Sequence, residues 1–243
     1  MLGLFKKTKK KHSQPISVDV HSHLIPGVDD GVQSFNDSLD LLKKFSSAGY
    51  QKVITTPHIM QDFYDNEEDE LRAIHEDLTR KASAHGLTIK IELAAEYYLD
   101  ERLNERISDS KADFLTFGSS YLLFETSFMN QPFYLKEFIF NAKSRGLNPV
   151  LAHPERYMYL HNNITLLEEL MERVVLLQLN TNSLLGYYSK QVKKFSQKLV
   201  DQKMISFVGS DCHNLLHFET LLKSRETSYY EKLLDLPLLN RTL

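Results

Sequence analysis

Two histidines one residue apart, His21 and His23, follow the apolar run Val18-Asp19-Val20. Side chains two apart on an extended strand face the same side, so both imidazoles reach toward one cation. Asp211 and His213 repeat that spacing around Cys212. Asp30 lies in the loop after the first pair. His58, Glu96, Glu125 and His153 stand at the ends of the strand-like runs TTPH (55–58), AAE (94–96), LLFE (122–125) and LAHPER (151–156), and LQLN (177–180) and GSDCH (209–213) complete the series. Nine imidazole and carboxylate groups exceed the roughly four ligands of one zinc ion or the roughly six of an octahedral ion. Two or three divalent ions sharing bridging carboxylates are therefore expected. A donor set without thiolate suits manganese, with iron or zinc as alternatives. Four carboxylates neutralise two such ions, and a third would leave the site positive and attractive to a phosphate dianion.

The chemistry implied is hydrolysis by metal-activated water, with no side-chain nucleophile. Arg156, three residues after His153, offers a planar fork suited to phosphoryl oxygens. Asp19, two residues before His21, is positioned in sequence to orient a ligand from behind. Cys212 is not the nucleophile: cysteine phosphatases need an arginine six positions onward, and position 218 is Phe. Between two ligands on a strand, its side chain points to the opposite, apolar face.

Each of these residues must be delivered by a strand. The sequence predicts strands over 16–21, 52–56, 88–94, 120–124, 174–179 and 204–209, with another leading to His153. Helices are expected over 35–48, opened by Ser34 and Asp37, and over 66–85, 164–173 and 189–202. A further helix runs from Pro132 to a stop at Gly146, the stretch 100–112 is helical or irregular, and one or two helices end the chain. Alternation of this kind implies a parallel α/β sheet with right-handed crossovers. Seven strands with converging tips favour a TIM-like barrel over an open sheet. His12, His75, His85 and His161, in the tail or on helices, are expected to be solvated.

The 243 residues fit one barrel domain, and no Pro/Gly/Ser-rich linker divides them. A single cysteine excludes an internal disulfide and, with no signal-peptide pattern, points to the cytoplasm. Five lysines fall in the first dozen residues, so a basic flexible tail over 1–14 precedes a domain over 15–243. Without those five, the 29 basic residues fall well short of the 32 acidic ones, which argues against a nucleic-acid partner. The tail suits weak, peripheral contact with an anionic inner membrane face.

The motifs HSHLIPGVDDG, TTPH, AAEYY, LLFE, AHPER, QLNTNS and GSDCHN, in this order over about Val18 to Leu222, resemble the PHP (polymerase and histidinol phosphatase) superfamily. Within it they most resemble the bacterial manganese-dependent protein-tyrosine phosphatases of the capsule and exopolysaccharide type. The resemblance implies a distorted (β/α)7 barrel and a trinuclear site built from the nine residues, with Arg156 binding phosphate. It also implies a substrate, phosphotyrosine on the tyrosine-rich tail of a membrane-associated kinase controlling polysaccharide export. Many members carry alanine at Cys212, and several carry a second arginine shortly after the last histidine. Here His217 occupies that region; either it replaces the arginine or that arm is absent. Alternative readings are a small-molecule phosphoesterase of the histidinol-phosphate type and a non-catalytic, metal-stabilised binding module.

Overall fold

Local sequence already limits how far each strand can run. Pro57 has no N–H to give a ladder, so the second run of apolar residues must break there. The computed structural model, which describes residues 16–118 and 120–243, shows that break. Its strands in chain order are β1 (Val18–Asp19), β2 (Lys52–Thr55), β3 (His58–Ile59), β4 (Lys90–Leu93), β5 (Glu96–Tyr98), β6 (Tyr121–Glu125), β7 (Asn148–Ala152), β8 (Leu176–Asn180) and β9 (Phe207–Gly209). All pair in parallel, as a three-stranded sheet β1-β2-β4 and a six-stranded sheet β3-β5-β6-β7-β8-β9. β2 and β3 are one run parted at Thr56-Pro57, and β4 and β5 are one run parted at Ala94-Ala95. The chain stays in register across the gaps through Ala94 N–H to Thr55 O (2.9 Å) and Glu96 N–H to Pro57 O (3.0 Å).

The ring closes where the first motif meets the last. Ser22 bridges Cys212 in parallel, His23 N–H donates to Cys212 O (2.9 Å) and Asp211 N–H to His21 O (2.8 Å). Seven staves thus form the expected distorted (β/α)7 barrel. The expected continuous strands ending before His58 and Glu96 are corrected: both residues open short strands of the second sheet.

The helices are α1 (Phe35–Ser47), α2 (Glu68–Ala84), α3 (Glu101–Arg106), α4 (Leu135–Ser144), α5 (Met158–His161), α6 (Ile164–Glu172), α7 (Thr181–Leu185), α8 (Lys190–Asp201), α9 (Leu215–Ser224) and α10 (Ser228–Leu234). Ser34 caps α1 by accepting from Asp37 N–H, as its spacing predicts. α4 starts later than Pro132, because a turn from Pro132 O to Leu135 N–H comes first. α7 escapes the sequence reading, being too short to show a periodicity.

Val18, Val20, Ile54, Ala94, Leu123, Val150, Ala152 and Phe207 fill the lower barrel interior. Their strand neighbours Val53, Leu122, Phe124, Leu151 and Val208 face the helices in the outer core. Burying each large side chain contributes roughly 1.5–3 kcal/mol. Among the described residues no helix is long and apolar enough to cross a membrane. The basic tail lies outside them. Two expected surface histidines are instead half-buried: His75 Nε2 meets Ile91 O (3.2 Å) and His161 Nε2 meets Glu155 O (2.8 Å).

Candidate metal centre

Strand alternation alone would not bring all nine residues together. Val20 and His21 both face inward, so the alternation slips by one just past β1. Ala152 faces inward and a regular continuation would turn His153 out. A left-handed φ of 32° at His153 turns it in, and Asp211 has a φ of 51°. Such non-glycine conformations each cost about 1–3 kcal/mol and are held only by their surroundings. Gly31 and Gly209 are required for another reason: a Cβ on either would collide with the Cβ of His23 or His21.

Glu96 is the hub. Its Oε2 lies 3.0 Å from His21 Nε2, 3.4 Å from His23 Nε2 and 3.4 Å from His58 Nδ1, and its Oε1 lies 2.9 Å from His153 Nε2. Asp211 Oδ1 is 3.4 Å from both His21 and His23 Nε2 and 3.5 Å from His213 Nδ1. Glu125 Oε1 is 3.3 Å from His58 Nδ1, while Asp30 Oδ1 faces His58 Nε2 (3.6 Å) and His213 Nε2 (3.4 Å). Eight of the nine predicted ligands fall into three overlapping groups with ligand atoms within 4.8 Å of one another: His23, Asp30, His58 and His213; His21, His23, Glu96 and Asp211; His58, Glu96 and Glu125. His153 joins through Glu96.

Residues behind this layer aim it. His21 Nδ1 donates to Gln178 Oε1 (2.8 Å) and His23 Nδ1 to Asp29 Oδ2 (2.8 Å), which turns both Nε2 lone pairs toward the carboxylates. Asp29 also accepts from Gly31 N–H and His58 N–H. Asp19 does not take the orienting place expected of it. It accepts from Ser210 N–H (2.7 Å) and Oγ–H (2.6 Å) and fixes the backbone just before Asp211.

The charge balance calls for cations. Burial opposes a proton on His21, yet Glu96 and Asp211 raise its pKa to about 9. His23 is raised well above the usual imidazole range, Asp29 outweighing burial. Burial also disfavours the Glu96 and Asp211 carboxylates, but His21 and its neighbours hold both well below the usual range. Protons here do what divalent ions would do better. Buried His58 Nδ1 and His153 Nδ1 have no hydrogen-bond partner, as befits atoms awaiting a metal or its water. Imidazoles, carboxylates and orphaned nitrogens together fit the two or three ions expected.

Arg156 sits at the rim. Its Nη1 donates to Asp211 Oδ2 (3.0 Å), which also accepts from Asn180 Nδ2 (2.7 Å) and Tyr188 OH (3.1 Å). Its guanidinium lies 4.5 Å from the ring centres of both Phe128 and Tyr188. Arg156, Phe128, Tyr188 and His217 line one pocket of about 320 Å³ with Asp30, His58, Glu96, Glu125, His153, Asp211 and His213. His217 Nδ1 lies between Asp211 O (3.0 Å) and the His213 backbone N–H (3.3 Å), and burial lowers its pKa. Cys212 is buried, faces the outer core, and burial pushes its thiol up and out of the reactive range.

The sequence reading missed Asp29, Gln178, Asn180, Phe128 and Tyr188. Asp29 had a signal in the Asp-Asp-Gly run, and Gln178 and Asn180 in their period-two place at the tip of LQLN. For the two aromatics no pattern existed.

A closed ring of parallel strands with imidazoles, carboxylates and a guanidinium at its C-terminal mouth defines a barrel metallohydrolase. Within that class, the chain belongs to the capsular polysaccharide synthesis family CpsB/CapC, whose model matches residues 17–232. It is 30% identical over 199 residues to the tyrosine-protein phosphatase YwqE of Bacillus subtilis, covering 82% of this chain and 78% of that one. It is 28% identical over 221 residues to the CapC protein of Staphylococcus aureus, covering 89% and 86%. A crystal structure from the pair described as YwqE from Bacillus subtilis and CpsB from Streptococcus pneumoniae, metal-dependent tyrosine phosphatases, is similar to it with a TM-score of 0.78 at 29% identity, covering 87% of each chain.

Proposed function

We propose that this protein is a metal-dependent tyrosine-protein phosphatase of capsule or exopolysaccharide synthesis. The observation that carries the reading is the Arg156 guanidinium sharing one pocket with Asp30, His58, Glu96, Glu125, His153, Asp211 and His213 of the imidazole–carboxylate cluster. Its relatives YwqE and CpsB bear the name of that activity. The nine ligands His21, His23, Asp30, His58, Glu96, Glu125, His153, Asp211 and His213 would hold two or three divalent ions, manganese first among them. Bound there, the ions supply activated water and polarise the phosphoryl oxygens.

The chain's own residues do the rest. Gln178 and Asp29 keep the His21 and His23 lone pairs aimed inward. Asp211 spends one oxygen on the cluster and the other on Arg156, so clamp and metal site share a fixed geometry. Phe128 and Tyr188 hold the guanidinium plane, which leaves the rest of its fork for phosphate oxygens. That contact strengthens as charge develops in the transition state. His217 lines the same pocket as Arg156, and its imidazole offers the phosphate a second polar contact there.

The substrate is a phosphotyrosine protein, in our reading a membrane-associated kinase, met in the cytoplasm by the domain over 15–243 with its tail over 1–14 resting on the anionic membrane face. Chelation should abolish hydrolysis of a phosphotyrosine peptide and manganese should restore it. Full activity in metal-free protein, or strong preference for histidinol phosphate, would refute the proposal.

A further inference from the structure

The two segments that grip Arg156 do not end at the pocket. One continues from Arg156 into α5, and the other from Tyr188 into α8. Met158, His161 and Asn162 on the first face Gln191, Lys194, Phe195 and Lys198 on the second across a groove of about 510 Å³. Its base is apolar where the His161 and Phe195 rings meet at 4.6 Å. Asn162 and Gln191 bring amides able to bond an extended backbone.

The groove is basic on a chain whose charge is net acidic. Lysine–carboxylate pairs among the described residues involve Lys43, Lys52, Lys90, Lys136 and Lys232. Lys194 and Lys198 take part in none. Lys194 and Lys198 are both exposed and stand one turn apart on α8, so their charges share one wall of the groove.

We propose that this groove docks an acidic segment of the substrate polypeptide, next to the phosphotyrosine held at Arg156. The inference rests on the phosphotyrosine reading and extends it to the flanking sequence. Met158 follows Arg156 by two residues and Gln191 follows Tyr188 by three, so a segment seated in the groove lies alongside the residues of the phosphate pocket and meets Lys194 and Lys198. Concave walls and an apolar base suit an extended peptide better than a flat bilayer.

The test uses the metal-loaded full chain and two phosphotyrosine peptides that differ only in acidic or amide flanks. KM should be about tenfold lower for the acidic peptide at low salt, and the gap should close as salt rises. Lys194→Gln/Lys198→Gln should erase the gap while kcat, and all kinetics on para-nitrophenyl phosphate, stay unchanged. Equal KM for both peptides in the unmodified protein, or equal losses on peptides and small substrate in the variant, would overturn the docking site. Binding of the unphosphorylated acidic peptide, read by fluorescence anisotropy, separates this from the function itself. Binding that the double substitution weakens supports the groove even if phosphotyrosine is not hydrolysed, and no binding counts against it. Loss of affinity for phosphatidylglycerol vesicles with peptide binding intact would assign the lysines to a lipid surface and overturn the proposal.

Discussion

The barrel interior has two halves that are opposite in energetics. The lower half is closed by Val18, Val20, Ile54, Leu123, Val150 and Phe207, and its burial is favourable without any partner. The upper half buries His21, His23, Glu96, His153 and Asp211, places two of them in left-handed backbone, and leaves imidazole nitrogens unbonded. The lower half therefore carries the fold, while the upper half is held in a state of unmet charge by the structure around it. Stability and activity should come apart along this boundary.

The widest separation should come from one residue in each half. Glu96→Gln removes the carboxylate that faces four imidazoles and should lower metal content and cut kcat/KM on the order of 10³-fold or more, with the circular dichroism spectrum unchanged. Phe207→Ala should do the reverse, costing about 3–5 kcal/mol of stability while folded protein keeps its metals. Metal analysis and denaturant unfolding of both variants check the pair. Unfolding of the Glu96 variant, or metal loss in folded Phe207 variant, would erase the boundary.

Arg156 lies where the cluster opens to solvent. Arg156→Ala should lose about 10²-fold in kcat/KM, near 3 kcal/mol, and Arg156→Lys should recover part of it. Because Nη1 braces Asp211 Oδ2, a modest fall in metal affinity should accompany the loss. Asn180 and Tyr188 still hold that oxygen, so the metals should remain at saturating concentration. Wild-type turnover in the alanine variant would place the phosphate clamp elsewhere.

Proton linkage tests the unmet charge directly. The metal-free folded protein keeps the His21 proton to about pH 9, whereas an unfolded chain releases it near 6.5. The folded state then binds more protons, so this contribution is full below about pH 6.5 and is lost as pH rises toward 9. Its size is at most roughly 3 kcal/mol. Melting temperature in chelator should therefore fall between pH 6.5 and 9, and manganese, taking the proton's place on Nε2, should flatten the curve. Parallel curves with and without metal would mean that His21 is not a ligand.

How much of this was legible depended on whether a residue acted through its own strand or through a neighbour's. His58, Glu96, Glu125 and His153 are at strand tips in the sequence and at the cluster in the structure, because a parallel barrel brings such tips to one mouth. Gln178, Asn180 and Tyr188 take their roles from His21, Asp211 and Arg156, between 23 and 157 residues away for the bonds concerned, and no local pattern encodes such a partner. Asp19 shows the converse. Its closeness to His21 in sequence suggested a contact, but alternation sends its carboxylate to the outer side, where Ser210 receives it.

Cys212 gives the smallest expected effect and tests the boundary between the inner and outer faces of the same segment. It stands between Asp211 and His213, yet its Sγ contacts Asn214 O at 3.4 Å on the helix-facing side, away from Glu96 and the pocket. Burial raises its thiol pKa, with the Asp19 carboxyl adding to the effect, so no thiolate is available near neutral pH. Cys212→Ser places a hydroxyl that can still donate to Asn214 O, at a cost of about 1 kcal/mol for a polar atom in an apolar layer. Turnover and metal content should stay within a fewfold of the unmodified protein, and iodoacetamide should label the native chain slowly. A loss on the order of 10³-fold with metals retained would move the chemistry to cysteine and make the imidazole cluster a support for it. The geometry points the other way: on this segment the backbone turn at Asp211 sends the Asp211 and His213 side chains toward the imidazole–carboxylate cluster and leaves the sulfur to the core.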